Sequence, residues 1–450
     1  MKKLKFLAIA MFGFATILTS CSSDDNGEDP IEVEPATLSG DIKTNTILTA
    51  DKAWTLSGLV RVMDGVTLTI EPGTTIKGDK ATKAALIVER GGKINAAGTA
   101  SKPIVFTSNQ SAGQREIGDW AGVILCGKAP INVAGGTSQY ESGILGADVA
   151  NYGGTDANDN SGILKYVRIE YAGIAYGTDR EINSLTLAGV GSGTVLENIQ
   201  VSFGGDDGFE FFGGTVNAKN LIAYRCTDDD FDFEFGYSGR IQYAISIKDP
   251  LVFDNSSSGA SNGIECDNGS TVDVTPVNKP VLSNFTFIGP GPGANAKHNA
   301  GVIFRKGTAF VLRNSIIIDH LKGGLELATP KAGDRLFLGE SEFKNNLVFA
   351  NEAAFKANDA GANFANNAAL ATFVTSASNG NVALTNAAAA GIMSTSLTAP
   401  NLLLASASPA KTGANFNDLT GFETVAFRGA MDTTDWTSGW ASWTPGTNVY

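Results

Sequence analysis

The chain has 450 residues, with 53 glycines, four cysteines and two histidines; 43% of it is hydrophobic and only 18% is charged. Glycine above its usual share of roughly 7% and sparse charge exclude a disordered chain, and so few histidines and cysteines argue against a histidine-rich metal centre, a zinc ribbon or a disulfide scaffold. The formal charge of −13 repels phosphate backbones, so nucleic acid is not an expected partner, while divalent cations and neutral or basic ligands are compatible with it.

The chain opens with Lys2, Lys3 and Lys5, an apolar run from Phe6 to Leu18, and a small-residue region. That run is too short to span a bilayer comfortably, so residues 1–20 read as a signal peptide, with no transmembrane helix expected in the mature chain. Leu18-Thr19-Ser20-Cys21 resembles a bacterial lipobox, which implies lipidation of Cys21 and a lipid anchor. Cys21-Ser22-Ser23-Asp24-Asp25 resembles the acidic export signal that places lipoproteins of the Bacteroidota on the outer face of the outer membrane, and so implies surface display. Residues 21–39, acidic at first and then rich in Pro, Glu and Thr, are expected to form a flexible tether.

Over residues 40–350 short alternating apolar runs recur, punctuated by Gly, Asn and Asp. Val66–Ile76 is followed by Leu86–Ala96, Pro103–Ser108 and Trp120–Leu125. This succession resembles the opening rungs of right-handed parallel β-helix proteins of the pectate-lyase-like superfamily. The resemblance implies an all-β solenoid, a fold shared by lyases, hydrolases, adhesins and binding proteins. Gly127–Gly162 reads as a loop inserted between rungs, of the kind that shapes a ligand groove.

Asn198-Ile199-Gln200-Val201 recurs as Asn220-Leu221-Ile222-Ala223, 22 residues on, and then at Asn284, Asn314 and Asn346. Stacking coils about 4.8 Å apart predicts a ladder of these side-chain amides. The same shift lays Asp206-Asp207-Gly208-Phe209-Glu210-Phe211 on Asp228-Asp229-Asp230-Phe231-Asp232-Phe233, with looser continuations at Gly263–Cys266, Gly301–Phe304 and Gly324–Leu327. Alternation then sends Phe209, Phe231, Ile264, Val302 and Leu325 inward, together with Phe211, Phe233, Cys266, Phe304 and Leu327. Glu210, Asp232, Glu265, Ile303 and Glu326 face outward. Residues 351–450, rich in Ala and Asn and with room for one or two helices, are expected to form a mixed, partly helical C-terminal cap. Trp436, Trp440 and Trp443 are expected as a hydrophobic lid over the last rung.

The chemistry concentrates in the doubled aspartates. Asp206, Asp207, Glu210, Asp228, Asp229 and Asp232 would stack like charges on neighbouring coils, an arrangement that a bound Ca²⁺ relieves; a solvated acidic turn is the alternative. Glu265 and Glu326, in the outward column, and Arg305, which follows the Val302–Phe304 strand, are the expected ligand-binding side chains. Asp206-Asp207 is similar to the paired aspartates of polygalacturonase-like hydrolases. The Gly-His-Gly and Arg-Ile-Lys of those enzymes are missing, since Arg240-Ile241 is followed by Gln242 and neither His298 nor His320 sits between glycines. A lyase would need a base, for which Arg305 and Lys306 are candidates. His320 reads as a structural turn residue. With Cys21 lipidated, Cys126, Cys226 and Cys266 remain; Cys266 reads as a buried thiol, and a Cys226–Cys266 bridge is conceivable. The preferred function is noncatalytic binding or scaffolding toward a glycan or an outer-membrane partner such as a transporter. A Ca²⁺-dependent polysaccharide lyase or glycoside hydrolase, and an adhesin, stay open as alternatives.

Overall fold

A 22-residue circuit carries the chain once around a three-sided coil and lays its strands on those of the coil before. In the computed structural model, which describes residues 34–177, 182–256, 259–269 and 272–450, Val195–Ser202 pairs in parallel with Asn217–Tyr224, Val195 opposite Asn217. Phe209–Phe212 pairs in the same sense with Phe231–Glu234. Repetition of this pairing gives one 26-stranded sheet wound into a right-handed parallel β-helix. Two short antiparallel pairs stand outside it, Thr137–Gln139 with Asn151–Gly153 and Ile392–Ser394 with Asn401–Leu404. Residues 1–20, Cys21 and the start of the tether lie outside the described residues. Among the described residues no helix is long and apolar enough to cross a membrane.

Both ends of the solenoid differ from expectation. Glu34–Ile42 is a strand paired with Lys52–Val62, so the first coil begins inside the segment expected as tether; Leu38, packed against the core, supplies its apolar anchor. Ala353–Ala357 and Val382–Ala383 still pair with the coil below, so the winding continues past residue 350, where Phe355 keeps an inward place. The end is closed by two short helices, Pro330–Phe337 and Asn367–Val374, whose Leu336, Leu370 and Val374 join the core around Phe343 and Phe355. Asn366 caps the second helix by accepting from the Ala369 N–H. The first helix is too short to show a convincing helical period in sequence.

The expected inward columns hold. Phe209 lies opposite Phe231, then Ile264, Val302 and Leu325; Phe211 lies opposite Phe233, then Cys266, Phe304 and Leu327, and all are buried. The ring centroids of Phe209 and Phe231 are 5.0 Å apart and those of Phe211 and Phe233 4.8 Å apart, both stacked, so the aromatic spacing follows the coil spacing.

The asparagine column is real but does another job. Asn198, Asn220, Asn284, Asn314 and Asn345 occupy equivalent positions with φ between 54° and 60°, at the bend between two faces. Asparagine tolerates this left-handed conformation better than most residues. The last member is Asn345 rather than Asn346, because Ile316 pairs with Leu347. Tyr166 and Tyr243 fill the same bend on other coils. Two of the amides bind the C-terminal segment, and among the described residues no two of the five bond one another: Asn284 donates to the Phe427 carbonyl at 3.0 Å and Asn314 to the Asn415 carbonyl at 3.1 Å.

Residues 401–450 therefore run back along this flank as a strap, and the tryptophans are not a lid over the last rung. Glu423 exchanges two hydrogen bonds with Gln242, and Ser442 two with Gln200. Phe427 stacks on Tyr243, Trp440 meets Tyr166 edge-on and Trp443 meets Tyr224 edge-on. The Tyr450 hydroxyl reaches Glu170 at 2.8 Å. Outward-facing aromatics on the early coils draw the apolar tail back to them.

Phe231 touches Phe209 and, at 5.6 Å, Phe285. Phe231→Ala is expected to lower the unfolding free energy by about 3–5 kcal/mol in denaturant titration; a loss below about 1 kcal/mol would contradict a stacked aromatic core.

Candidate cation-binding site

The chain leaves Ser202 and turns onto the third face through Gly204-Gly205-Asp206-Asp207-Gly208. A Cβ at Gly205 would lie 2.3 Å from the Gly173 carbonyl oxygen, so only glycine lets this turn press so closely on the preceding coil. The side chains of the turn begin with the two aspartates. One coil on, Asp228 and Asp229 stand at the same positions, since Phe209 pairs with Phe231.

Five successive rungs are joined by one hydrogen bond repeated through four acceptor side chains. The Asn183 Oδ1 accepts from the Asp207 N–H at 3.3 Å, the Asp207 Oδ1 from the Asp229 N–H at 2.8 Å, the Asp229 Oδ1 from the Asn262 N–H at 2.7 Å, and the Asn262 Oδ1 from the Ala300 N–H at 3.1 Å. At the two outer rungs a neutral amide does this work. At the two inner rungs a carboxylate does it, bringing a charge that the ladder does not need and a second oxygen that it does not use.

Those spare oxygens meet others. The outward column reads Thr186, Glu210, Asp232, Glu265, Ile303, Glu326 and Lys356 on successive coils. Ligand oxygens of Asp206, Asp207 and Asp228, of Asp207, Glu210 and Asp232, and of Asp229, Asp232 and Glu265 form three overlapping groups, each within 4.8 Å. All six residues expected to hold a cation are thus brought together, and Glu265 with them. The column faces outward as expected but is not open: Glu210 is 4% and Asp232 8% exposed. The Gly127–Gly162 insertion covers the neighbouring outer face, packing Tyr140 and Tyr152 against Phe212, with the Tyr140 hydroxyl accepting from the Asn183 N–H. Glu210 Oε1 and Asp232 Oδ1 have no hydrogen-bond partner among the described residues.

At this spacing each like-charged pair costs about 3 kcal/mol at an effective dielectric near 20. The protonation equilibria show the cost. Burial, reinforced by Asp206, Asp229 and Asp228, pushes the Asp207 carboxyl well up; burial and then Asp232 do the same to Glu210. Burial followed by Glu234 raises Asp232, and burial followed by Asp229 raises Glu265. Asp228 is pushed up to about 8 by burial and Asp229. Asp229 rises only to about 6, because burial is opposed by Lys248 and by hydrogen bonds from Asn262. Orphaned buried oxygens and carboxyls driven toward their neutral form fit a hard divalent cation, for which they are the preferred donors.

Lys248, fully buried beneath the cluster and 3.1 Å from Asp230 Oδ1, is not legible as a member of the site from sequence. Nor is Glu234, raised to about 7 by burial and by Asp267. Arg305 borders the cluster: its guanidinium makes two hydrogen bonds to Asp267, at 3.0 and 2.7 Å, and pairs with Glu265. Glu326 stands apart. Ile303 separates it from Glu265, and it pairs with Lys356 and Asn358. His320 is buried at a strand end, and Cys126, Cys226 and Cys266 are free, buried thiols, so the conceivable Cys226–Cys266 bridge is not formed.

Together these features define a right-handed parallel β-helix with a largely buried acidic cluster on one face. The chain belongs to the pectate-lyase-like β-helix domain family, whose model matches residues 40–394. No curated protein and no solved structure matches it.

The raised carboxyls hold protons that the unfolded chain has already released, so without a cation stability declines as pH rises through their folded values, about 6 for Asp229 and about 8 for Asp228. The melting temperature in EDTA is expected to fall by several degrees from about pH 5.5 to 8.5, and millimolar Ca²⁺ to remove most of that fall. Equal slopes with and without Ca²⁺ would contradict the site.

Proposed function

We propose that this protein is a lipoprotein anchored through Cys21 and displayed on an outer membrane of Bacteroidota type. There it holds Ca²⁺ in the Asp206–Glu265 cleft and through that ion binds an acidic polysaccharide without cleaving it. The observation that carries this reading is the hydrogen-bond ladder, in which Asn183 and Asn262 make with neutral amides the contact that Asp207 and Asp229 make with carboxylates. Charge has been placed where the fold does not require it. Ca²⁺ takes six to eight oxygen ligands in adaptable geometry, which suits overlapping carboxylate groups better than the strict octahedron of Mg²⁺. On the side of Asp206, Asp228 and Glu265, the partly exposed members of the cluster, the ion would accept a sugar carboxylate. A glycan so captured would pass to an outer-membrane transporter as partner.

The competing reading is a Ca²⁺-dependent lyase, and it turns on Arg305 and Lys306. A lyase base must be able to lose its proton. Against the pull of burial, hydrogen bonds to Asp267 and the charges around them raise the pKa of both side chains and keep them charged. That favours binding over abstraction.

Calorimetry with Ca²⁺ followed by polygalacturonate or alginate tests both parts. The expected result is Ca²⁺ uptake, polysaccharide binding lost in EDTA, and loss of both in Asp207→Asn/Asp229→Asn, a change that keeps the ladder. Binding insensitive to EDTA would overturn the ion's role, and 4,5-unsaturated products would establish the lyase instead. Cys21→Ala is expected to release the protein from membranes; retention there would refute the anchor.

A further inference from the structure

A second ligand site lies on the flank where the strap crosses the coils. Between Gly421 and Trp436 the strap is pinned to the coils at Glu423, Phe427 and Ala430, and two adjoining chambers of about 460 and 390 Å³ are left beside these contacts. Each falls within the range of small-ligand sites. They meet at the ion pair of Lys219 with Glu423, which lines both.

The second chamber has the composition of a carbohydrate subsite. Tyr243 and Phe427, stacked at 6.2 Å, form one wall, and Met431 with the half-buried Trp436 forms another. The Trp436 N–H is bonded to the Ala430 carbonyl and its ring stacks on Trp440, so the indole is fixed in place before any ligand arrives. Beside these faces stand the Asn220 carboxamide and the Thr433 and Thr434 hydroxyls, which make no hydrogen bond among the described residues. The adjoining chamber is lined by Asn217 and Gln242, whose amides already bond the Arg240 N–H and the Glu423 backbone, and by Glu197, paired with Lys165. The charges along the route are balanced: Lys219 by Glu423, Asp432 by Lys411, Glu197 by Lys165. Arg240, at the far end, carries the one charge without an ion-pair partner among the described lining residues.

Aromatic faces suit the C–H faces of pyranose rings, the unused Asn220 amide and threonine hydroxyls suit sugar hydroxyls, and apart from Arg240 at the far end the charges are paired and offer no net attraction to an anion. We propose that this flank binds a neutral oligosaccharide across the two chambers, independently of the acidic cleft. The protein would then hold two glycan chemistries on different faces of one rigid rod. A charged main chain would be held through the cation, and neutral chains or side branches by the strap. Because this flank uses none of the cluster carboxylates, it stands or falls separately from the cation-dependent reading.

The test is calorimetry in EDTA with cellohexaose, mannohexaose, xylohexaose and laminarihexaose. At least one is expected to bind, and Asp207→Asn/Asp229→Asn to bind it with unchanged affinity. Trp436→Ala is expected to weaken binding about tenfold. Because Trp436 also supports Trp440, Asn220→Gly is the second probe; it removes a ligand-facing carboxamide while glycine keeps the left-handed backbone, and it too is expected to weaken binding. No binding of any of the four sugars, or affinity unchanged in both flank variants, would overturn the proposal.

Discussion

Stacking in register is the constraint on which the rest of this molecule depends. Parallel coils set equivalent residues about 4.8 Å apart, so a side chain's closest neighbours are its own counterparts above and below. Like must therefore tolerate like. Phenylalanine on phenylalanine satisfies this directly, as the Phe209–Phe231 and Phe211–Phe233 pairs show. Asparagine after asparagine satisfies it at the left-handed bend, where backbone conformation selects the residue. Carboxylate on carboxylate does not satisfy it, and the acidic cleft is where the stacking is left in need of something else.

In the proposed reading that need couples fold to ligand. The Asp207 and Asp229 carboxylates each give one oxygen to the next coil's backbone and leave the other in a buried, crowded cluster. Removing water from such a cluster favours either protons or a cation, and the pH sets which. Of the cluster Arg305 pairs with Glu265 alone, and Asp267 engages both Arg305 and Lys306 and is held below its usual range by them, against the effect of burial. The strap makes a separate contribution. It bonds coils that are distant along the rod, from Asn314 to Glu170, so the flank it covers is held as one surface.

Much of this is legible in the sequence because a solenoid writes its register as a period. The 22-residue shift that aligns Asn198 with Asn220 aligns Asp207 with Asp229 and Phe209 with Phe231, and the structure keeps those pairings. Legibility fails where the period is interrupted or where partners are remote. Asn345 is one residue off the expected frame because alternate asparagines at 345 and 346 offer two registers, and only the pairing of Ile316 with Leu347 decides between them. Asn183 and Asn262 belong to the cleft's ladder but stand 24 and 33 residues from their neighbours in it, beyond insertions of irregular length. Lys248 enters the site from beneath, through the interior, which alternation along one strand does not reveal. The return of the strap is a tertiary event with no local signal beyond the cluster of tryptophans.

Carboxylates at the inner rungs of the ladder are proposed to hold a cation, and crystals grown in Ca²⁺, with anomalous scattering collected at long wavelength, would locate it. An anomalous peak is expected within about 2.3–2.6 Å of oxygens from Asp207, Asp229 and Asp232. Crystals at saturating Ca²⁺ with no peak in the cleft, and carboxyl groups paired to one another through shared protons, would contradict it.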